Sequence, residues 1–397
     1  MALKVIIIRA GVGGLATAAI LRDNAEVVLL ERGDEERISG GQGLGLGPNA
    51  TKILDSLGYD RVRSRAVTSK GIKAYDTATG DLVEKISMDM VQQYGADWLM
   101  TLRKDFRTEL LRLATEQRYG HGVTPTIRYN CRVVDIDVHD GEVELQGGQI
   151  LEADLIVLAS GIHSDLKDRI LGSNRFVATP TGQSIFRFLV SAENATKAAG
   201  KLPEWWNPDV GAYLSIMRTN DDTNRALITY PCRDFKYVNF SCAFPNHLLR
   251  ERAEESWLAD GDHDEVMEIF KDFPTPYSTF MKFGNYAITT LYPLMCEVAR
   301  SSSAMRRMPW LPSKAKAGPK PIEDAEGFRL LADAGVSRQD VPAILKRWDQ
   351  ARRPRASQVQ EHTRQASRKL NEKDSMNNMA YNWSYDSILK TLKALKG

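Results

Sequence analysis

The chain has 397 residues, of which 43% are hydrophobic and 26% are charged, so it can bury a large core and is long enough for roughly two or three structural units. Its 53 Lys and Arg residues nearly balance its 51 Asp and Glu residues, and the net charge of +2 argues against a nucleic acid or an anionic membrane as a partner. A small hydrophobic molecule is therefore the expected partner, and the oligomeric state stays open.

The cysteines and the hydrophobic segments bear on the compartment in which the chain works. The four cysteines are far apart and show no Cys-x-x-Cys spacing, a pattern that argues against a zinc site and against a disulfide framework. They are Cys131, Cys232, Cys242 and Cys296. No run reaches the roughly twenty apolar residues that span a bilayer. We therefore expect reduced thiols, no metal site and a cytoplasmic protein.

The segment KVIIIRAGVGGLATAAIL predicts a strand, a glycine turn and a helix. Apolar residues 5–8 indicate a buried strand, and the small residues 13–19 indicate the start of a helix. A turn that cradles phosphate is expected between them, but Arg9 stands where the first glycine of a dinucleotide-binding fingerprint belongs. The next segment, AEVVLLER, predicts a second buried strand that ends in Glu31, at the spacing of an acid that holds a ribose hydroxyl.

The following segments predict two helices and a group of strands. GQGLGLGPNATKILDSLG indicates a glycine-rich loop that leads into a helix, with Asn49 as its N-cap and Gly58 at its end. DFRTELLRLATEQ has apolar residues at helical spacing, and Arg103 comes just before it. CRVVDIDVHDGEVELQGGQILEADLIVLAS alternates apolar and polar residues, which predicts a β-meander followed by a buried strand over residues 155–159.

The second half of the chain changes from strands to helices. Over residues 179–244 the short segments SIFRFLV, AYLSIM and RALITYP predict a second, largely antiparallel unit. Helical patterns resume at ESWLADGDHDEVMEIFKDF and dominate after Ile322. The chain therefore combines an α/β unit, a β-sheet unit and C-terminal helices.

A set of motifs runs nearly from end to end of the chain in a recognisable order. They are GVGGLATAAIL, VVLLER, GLGLGPNATKILDSLG, LRKDFRTELL, LIVLASGIHSDLK, SIFRFLV, ITYPCR, ESWLADGD, MPWLPSKAKAG, IEDA, RWDQARRPRASQVQ and WSYD. In this order they resemble the class A FAD-dependent aromatic monooxygenases, specifically the fungal salicylate-hydroxylase-like members. Each motif alone is weak, and together they indicate the fold strongly.

The resemblance implies an α/β fold in which a glutathione-reductase-type, Rossmann-like FAD domain carries an inserted β-sheet substrate domain and C-terminal helices. The flavin supplies the oxidant in that family, and the protein holds it against an aromatic substrate and excludes water. The expected domains are a discontinuous FAD-binding-like domain over residues 1–75, 101–175 and 290–340, a substrate domain over residues 76–100 and 176–289, and a helical segment over residues 341–397.

The same resemblance places the cofactor contacts of the family on Gly11, Gly14, Glu31 and Arg103. The sequence departs from the family first at Arg9, for which two arrangements are open. In one, the Arg9 side chain turns outward and FAD still binds. In the other, its guanidinium fills the phosphate space and pairs with Glu31, since a bidentate arginine–carboxylate pair suits such an enclosure.

Two further departures weaken the expected flavin site. Ser160 replaces the aspartate of an Asp-Gly pair, and residues 304–308 replace a Gly-Asp-Ala-x-His segment, so that Met305 stands where an aspartate accepts hydrogen bonds from the ribityl chain. The Gln-Gly step beneath the flavin has become Lys316-Ala317. Because each lost charge-assisted contact is worth about 1.5–3 kcal/mol, these changes predict that the retained contacts are vestigial and that no cofactor binds.

A cleft without flavin offers space for a bulky apolar ligand, and five residues are candidates for its chemistry. They are Arg187, Tyr213, Tyr230, Arg306 and Arg307. Strand alternation puts Arg187 on the opposite face from Phe186 and Phe188, toward either a cleft or solvent. The Tyr230 side chain either packs in the protein core or takes part in the chemistry of the site. The two later arginines either polarise a substrate carbonyl or face solvent in a basic loop.

These patterns lead to one functional hypothesis with two alternatives. The first is a cofactor-free enzyme on a flavin monooxygenase scaffold that catalyses a cyclisation, isomerisation, dehydration or pericyclic step on a hydrophobic secondary-metabolite intermediate, since orienting a reactive substrate can accelerate such a step. The first alternative is a conventional FAD- and NAD(P)H-dependent aromatic hydroxylase. The second alternative is a non-catalytic protein that binds a metabolite.

Overall fold

The structure is a computed structural model that describes residues 2–35, 42–117, 123–161, 164–171, 182–250, 262–281, 287–291, 310–312, 319–333, 335–366 and 372–396. The strands in these ranges are β1 Leu3–Ile8, β2 Ala25–Leu30, β3 Gly43–Leu46, β4 Val67–Tyr75, β5 Leu82–Ser87, β6 Leu99–Leu102, β7 Thr126–Arg128, β8 Val133–Asp137, β9 Glu142–Leu145, β10 Ile150–Glu152, β11 Leu155–Leu158, β12 Gln183–Ser191, β13 Ala212–Arg218, β14 Ala226–Cys232, β15 Tyr237–Pro245, β16 Ala287–Leu291 and β17 Trp310–Pro312.

The helices lie between and after these strands. They are α1 Val12–Leu21, α2 Pro48–Ser56, α3 Met90–Tyr94, α4 Arg103–Thr115, α5 Lys167–Leu171, α6 Ala192–Ala199, α7 His263–Ile269, α8 Thr275–Met281, α9 Pro319–Glu326, α10 Val341–Ala366, α11 Glu372–Trp383 and α12 Ile388–Ala394. Within the described ranges, no helix combines the length and the apolar character needed to cross a bilayer.

A parallel sheet in the order β17-β11-β1-β2-β7 forms the α/β unit. Its central strands are continuous apolar runs because both faces of the sheet are covered. Helices α1, α4 and α9 share a core with one face, and the small antiparallel sheet β10-β9-β8 packs against the other. Ile8 pairs with Leu30 in register, so the ends of β1 and β2 meet at one edge of the sheet.

A large sheet in the order β16-β12-β15-β14-β13-β4-β6-β3, with β5 paired to β4, forms the second unit. One face of this sheet packs phenylalanines of β12 and β15 against α7 and α8. Phe186 stacks on Phe244 and Phe188 on Phe240, with ring centroids 5.0 and 4.8 Å apart. The alternation along β12 therefore directs Arg187 to the opposite face.

The glycine-rich segment before α2 differs from the expected loop. Residues Gly43–Leu46 form β3, which pairs with β6, and α2 is capped by Gly47 with Pro48 in its first turn. Asn49 lies inside the helix rather than at its N-cap, and its Nδ2 donates to Glu323 Oε1 at 2.6 Å. The prediction of the cap is wrong because proline favours the first helical turn, which moves the helix start two residues earlier than the asparagine pattern indicated.

The C-terminal helices attach to the α/β unit through a buried charge network. Arg352 of α10 donates to Glu323 at 2.7 Å and to Asp324 at 2.6 Å, and Arg355 makes a two-pronged contact with Glu323 at 2.7 and 2.9 Å. The Arg355 guanidinium also donates to the carbonyls of Tyr381 and Asn382, at the end of α11. Helix α11 is thereby held in place by an arginine of α10 that a carboxylate of α9 orients.

Candidate functional site

The turn between β1 and α1 keeps two of the three glycines of a nucleotide-binding fingerprint. A Cβ added to Gly14 would lie 2.1 Å from the carbonyl oxygen of Arg9, so the close packing of the turn requires glycine there. A Cβ added to Gly11 would meet no protein atom within 4 Å, so the space beside this residue is open. Gly11 caps α1 without a side chain, which leaves the first-turn N–H groups directed at that space.

Arg9 occupies the first glycine position with the backbone conformation of a glycine. Its φ is +90°, in the region that side chains rarely adopt, and its N–H donates to the carbonyl of Leu30 at 2.8 Å. The Arg9 guanidinium lies 3.5 Å from Glu31 Oε1, and this ion pair is partly buried. The predicted pairing of Arg9 with Glu31 is thus present, but the space beside Gly11 is open, so the guanidinium does not fill that part of the phosphate space.

Glu31 directs its carboxylate to the edge where β1 and β2 end. Its Oε2 accepts the N–H of Ala10 at 2.9 Å, and its Oε1 accepts the N–H of Gly33 at 2.9 Å. These backbone contacts hold the carboxylate in one orientation. A carboxylate has about four lone-pair sites, so two remain for the Arg9 guanidinium or for a hydroxyl donor.

A small cavity lies beside this carboxylate edge. The cavity is open on one side, and its enclosed part of about 20 Å³ has room for one water molecule. The cavity is lined by Ile8, Arg9, Leu30, Arg32, Cys131, Arg132, Val133, Ser160, Ser164, Asp165 and Leu166. The hydroxyl oxygens of Ser160 and Ser164 are buried there without a hydrogen-bond partner, which marks an incomplete polar site.

A second group of polar side chains lies where the two sheets approach each other. The backbone carbonyl of Gln42 accepts the backbone N–H of Arg103 at 2.8 Å, and the side-chain Oε1 of Gln42 lies 3.5 Å from Arg187 Nη1. Burial lowers the pKa of Arg103, and the positive charge of Arg187 lowers it further. Burial likewise lowers the pKa of Arg187. Two arginines concentrate positive charge at this point.

Tyr230 shares the sheet face of Arg187, and Tyr213 does not. Arg187 pairs with Ser241, and Ser241 pairs with Ile228, so Arg187 lies on the face of Ile228 and Tyr230. The pairing of Ser215 with Thr229 puts Tyr213 on the opposite face. Of the predicted site residues, the structure therefore brings Arg103, Arg187 and Tyr230 together.

The environments of Tyr230 and Tyr213 change the pKa values of their phenols in opposite directions. Burial raises the pKa of Tyr230, and the Arg187 charge only partly opposes this effect, so the phenol stays protonated at neutral pH. Burial also acts to raise the pKa of Tyr213, but hydrogen bonds from Ser87 and Lys85 outweigh it and the pKa is lowered. The Tyr213 ring packs beneath Lys73 and Lys85, away from Arg187.

Aromatic side chains that the sequence patterns did not single out lie next to Tyr230. Trp383, at the end of α11, packs 5.2 Å from Trp98 and 5.6 Å from Tyr94, measured between ring centroids. Met100 and Tyr230 belong to the same buried cluster. The WSYD motif contained the only signal for Trp383, and nothing in it indicated this neighbourhood.

Several predicted positions fall outside the described ranges. They are Met305, Arg306 and Arg307, together with Ala304, Met308, Lys316 and Ala317. Among the residues that the structure does describe, no group of three or more His, Cys, Asp or Glu side chains is placed to hold a metal ion.

Comparison with known proteins identifies the scaffold. No protein-family model matches the chain. It is 26% identical to the FAD-dependent monooxygenase ntnJ of Nectria sp over 382 residues, which cover 94% of this chain and 86% of that protein. It is 27% identical to hispidin-3-hydroxylase of Neonothopanus nambi over 381 residues, which cover 90% and 86%. The resemblance to the class A FAD-dependent aromatic monooxygenases is confirmed.

Solved structures agree with this flavin monooxygenase scaffold. CtdE in complex with FAD and a substrate has a TM-score of 0.74 and 18% identity, with 100% of both chains covered. A salicylate hydroxylase substrate complex has a TM-score of 0.73 and 20% identity, and the match covers 99% of this chain and 97% of that one. The predicted Rossmann-like domain with an inserted sheet and C-terminal helices is therefore confirmed.

The prediction that no cofactor binds is wrong. The relatives along nearly the whole chain are FAD-dependent monooxygenases, and a structure that shares the fold from end to end contains FAD. The prediction failed because it treated every substituted cofactor-binding residue as a lost contact. Arg9 keeps the backbone of the glycine it replaces, and Gly11 and Gly14 retain their space and close packing, so the turn survives the substitution.

Proposed function

We propose that the chain is an FAD- and NAD(P)H-dependent monooxygenase that hydroxylates a hydrophobic aromatic molecule. The observation that carries the proposal is the intact turn at Gly11 and Gly14, which presents uncapped N–H groups to open space next to the Glu31 carboxylate. The relatives' names favour the same chemistry. The non-redox step considered from the sequence depended on the loss of flavin, and it is not proposed.

The described residues fit FAD at several points. The N-terminus of α1 beside Gly11 would hold the pyrophosphate, and the Glu31 carboxylate would accept a ribose hydroxyl. The orphaned hydroxyl of Ser160 offers a further hydrogen bond beside them. Arg103 would add positive charge near the phosphates. When bound, FAD supplies the redox chemistry that activates oxygen.

The residues of the large sheet would bind and orient the substrate. Arg187 is a charged donor on a face that also carries Ile228 and Tyr230, so it would hold a carboxylate or phenolate group of the substrate. Tyr230 keeps its proton and would donate a hydrogen bond. Trp98 and Trp383 would exclude water from the aromatic ring. Together these groups favour a planar, apolar substrate with one anionic group.

A flavin titration tests the proposal directly. The purified protein is expected to show the visible absorption of a bound flavin, or to acquire it when FAD is added. With a hydroxylatable aromatic acid or phenol, NAD(P)H consumption should then be accompanied by hydroxylated product. A protein that binds aromatic ligands tightly but shows neither flavin binding nor turnover would instead be the non-catalytic metabolite-binding protein.

Replacing Arg187 tests its assignment to the substrate. Arg187→Met is expected to lower kcat/KM for an anionic aromatic substrate by about 100-fold, since one donor to a developing or permanent charge contributes roughly that much. The dissociation constant for FAD should change less than about twofold. The matched control is Arg218→Met, which alters an exposed arginine of β13. A loss of FAD affinity with unchanged KM would assign Arg187 to the cofactor instead.

A further inference from the structure

We propose that Arg9 closes the adenosine half of the nucleotide site, so that FAD binds only after the ion pair between Arg9 and Glu31 opens. This inference rests on the proposed function. It concerns Arg9, which stands where the nucleotide fingerprint has its first glycine. We assign to Arg9 a weakening of the binding of the adenosine half of FAD.

The backbone directs the Arg9 side chain into the site. A glycine at this position would have no side chain, but Arg9 holds the same left-handed conformation, with φ at +90°, and its side chain extends along the ends of β1 and β2. There it lines the cavity that also contains the orphaned hydroxyl of Ser160. The guanidinium therefore takes up volume at the carboxyl edge of the parallel sheet, where nucleotides bind in this fold.

The ion pair competes with ribose for the same carboxylate. Backbone N–H groups of Ala10 and Gly33 already use one site on each oxygen of Glu31. The Arg9 guanidinium, at 3.5 Å from Oε1, covers part of what remains. A ribose hydroxyl that donates to this same oxygen, Oε1, must displace the guanidinium, since two donors cannot occupy one lone-pair direction.

The size of the cavity leads to the same conclusion. The enclosed part of this open-sided cavity, about 20 Å³, has room for one water molecule, so an adenosine reaches that part only if a lining side chain moves. Arg9, Arg32 and Arg132 all line it, so side-chain movement is the route by which it enlarges. Arg9 is the member of the three that is paired with the ribose acceptor. Its displacement both enlarges the cavity and frees Glu31.

Comparing the affinities for FAD and FMN separates an effect of Arg9 on the adenosine half from a general effect on flavin binding. Wild type, Arg9→Gly and Arg9→Ala are titrated with each flavin, and the dissociation constants are read from the quenching of flavin fluorescence. Arg9→Gly is expected to bind FAD about tenfold more tightly than wild type, and Arg9→Ala to bind it more tightly than wild type as well. FMN lacks the adenosine half, so its affinity should stay within about twofold in all three proteins. Thermal unfolding of each apoprotein verifies that the variants fold.

The outcomes distinguish the two proposals. If Arg9→Gly binds FAD equally well or more weakly, Arg9 is neutral or contacts the pyrophosphate, and the inference is overturned while the proposed function stands. If FMN affinity rises as much as FAD affinity, the effect does not arise in the adenosine half, which also overturns it. If wild type and both folded variants bind no FAD at all, the inference and the proposed function fail together.

Discussion

Arg352→Met is expected to lower the free energy of unfolding by about 3–5 kcal/mol, because it leaves two buried carboxylates without their shared cation. Arg352 is 2% exposed, and its guanidinium donates to Glu323 Oε2 and Asp324 Oδ1. Burial raises the pKa of Asp324, and the charge of Arg352 acts against that rise. Removing the charge leaves Asp324 either ionised in a poor environment or protonated.

Arg347→Met is the matched control, since it changes an exposed arginine of the same helix by the same side-chain replacement. Its expected effect on unfolding is within about 0.5 kcal/mol. Urea denaturation of both variants, followed by tryptophan fluorescence, measures the difference. Equal destabilisation by the two replacements would show that the loss of helix charge, rather than the buried network, accounts for the effect.

Replacing Gly14 or Gly11 of the nucleotide turn by alanine is expected to have different effects on stability and on FAD affinity. Gly14→Ala places a methyl group 2.1 Å from the carbonyl oxygen of Arg9, so the turn must shift, and both stability and FAD affinity should fall. The expected destabilisation is about 1–3 kcal/mol, typical of overpacking in a buried site. Gly11→Ala adds a methyl group to open space at an ordinary φ of −81°.

Gly11→Ala should therefore change the free energy of unfolding by less than about 1 kcal/mol, the size of an altered helix cap. Its FAD affinity should nevertheless fall at least about tenfold, because the pyrophosphate approaches the backbone at this residue. Thermal unfolding of the apoproteins and flavin titration measure the two effects. If Gly11→Ala retains wild-type FAD affinity, the pyrophosphate does not bind at the start of α1, and the proposed function loses its main support.

The flavin site illustrates what sequence patterns predict well and where they mislead. The spacing between Arg9 and Glu31 correctly indicated a pair, because the ends of adjacent parallel strands must meet. The further step, from substituted contacts to the absence of flavin, failed. A pattern of residue types does not reveal that Arg9 has adopted the conformation of glycine, and that conformation preserves the turn.

The face on which each candidate side chain lies shows a second limit. Alternation within β12 correctly separated Arg187 from Phe186. Alternation cannot relate one strand to another, since this depends on the register of pairing, and the register puts Tyr213 and Tyr230 on opposite faces. Gln42 and Trp383 could not be found in advance, because they reach the site from positions far along the chain.

The sequence by itself determined β1, the glycine turn, α1, β2 and the alternation along β12, because apolar periodicity and backbone preferences are local properties. Beyond the Arg9–Glu31 pair, the tertiary structure alone decided which charges share a site. The charges of Arg103 and Arg187 act on each other, and Glu323 meets two arginines of α10, only when distant elements pack. Burial then sets the energies of these charges, since the removal of water strengthens every contact among them.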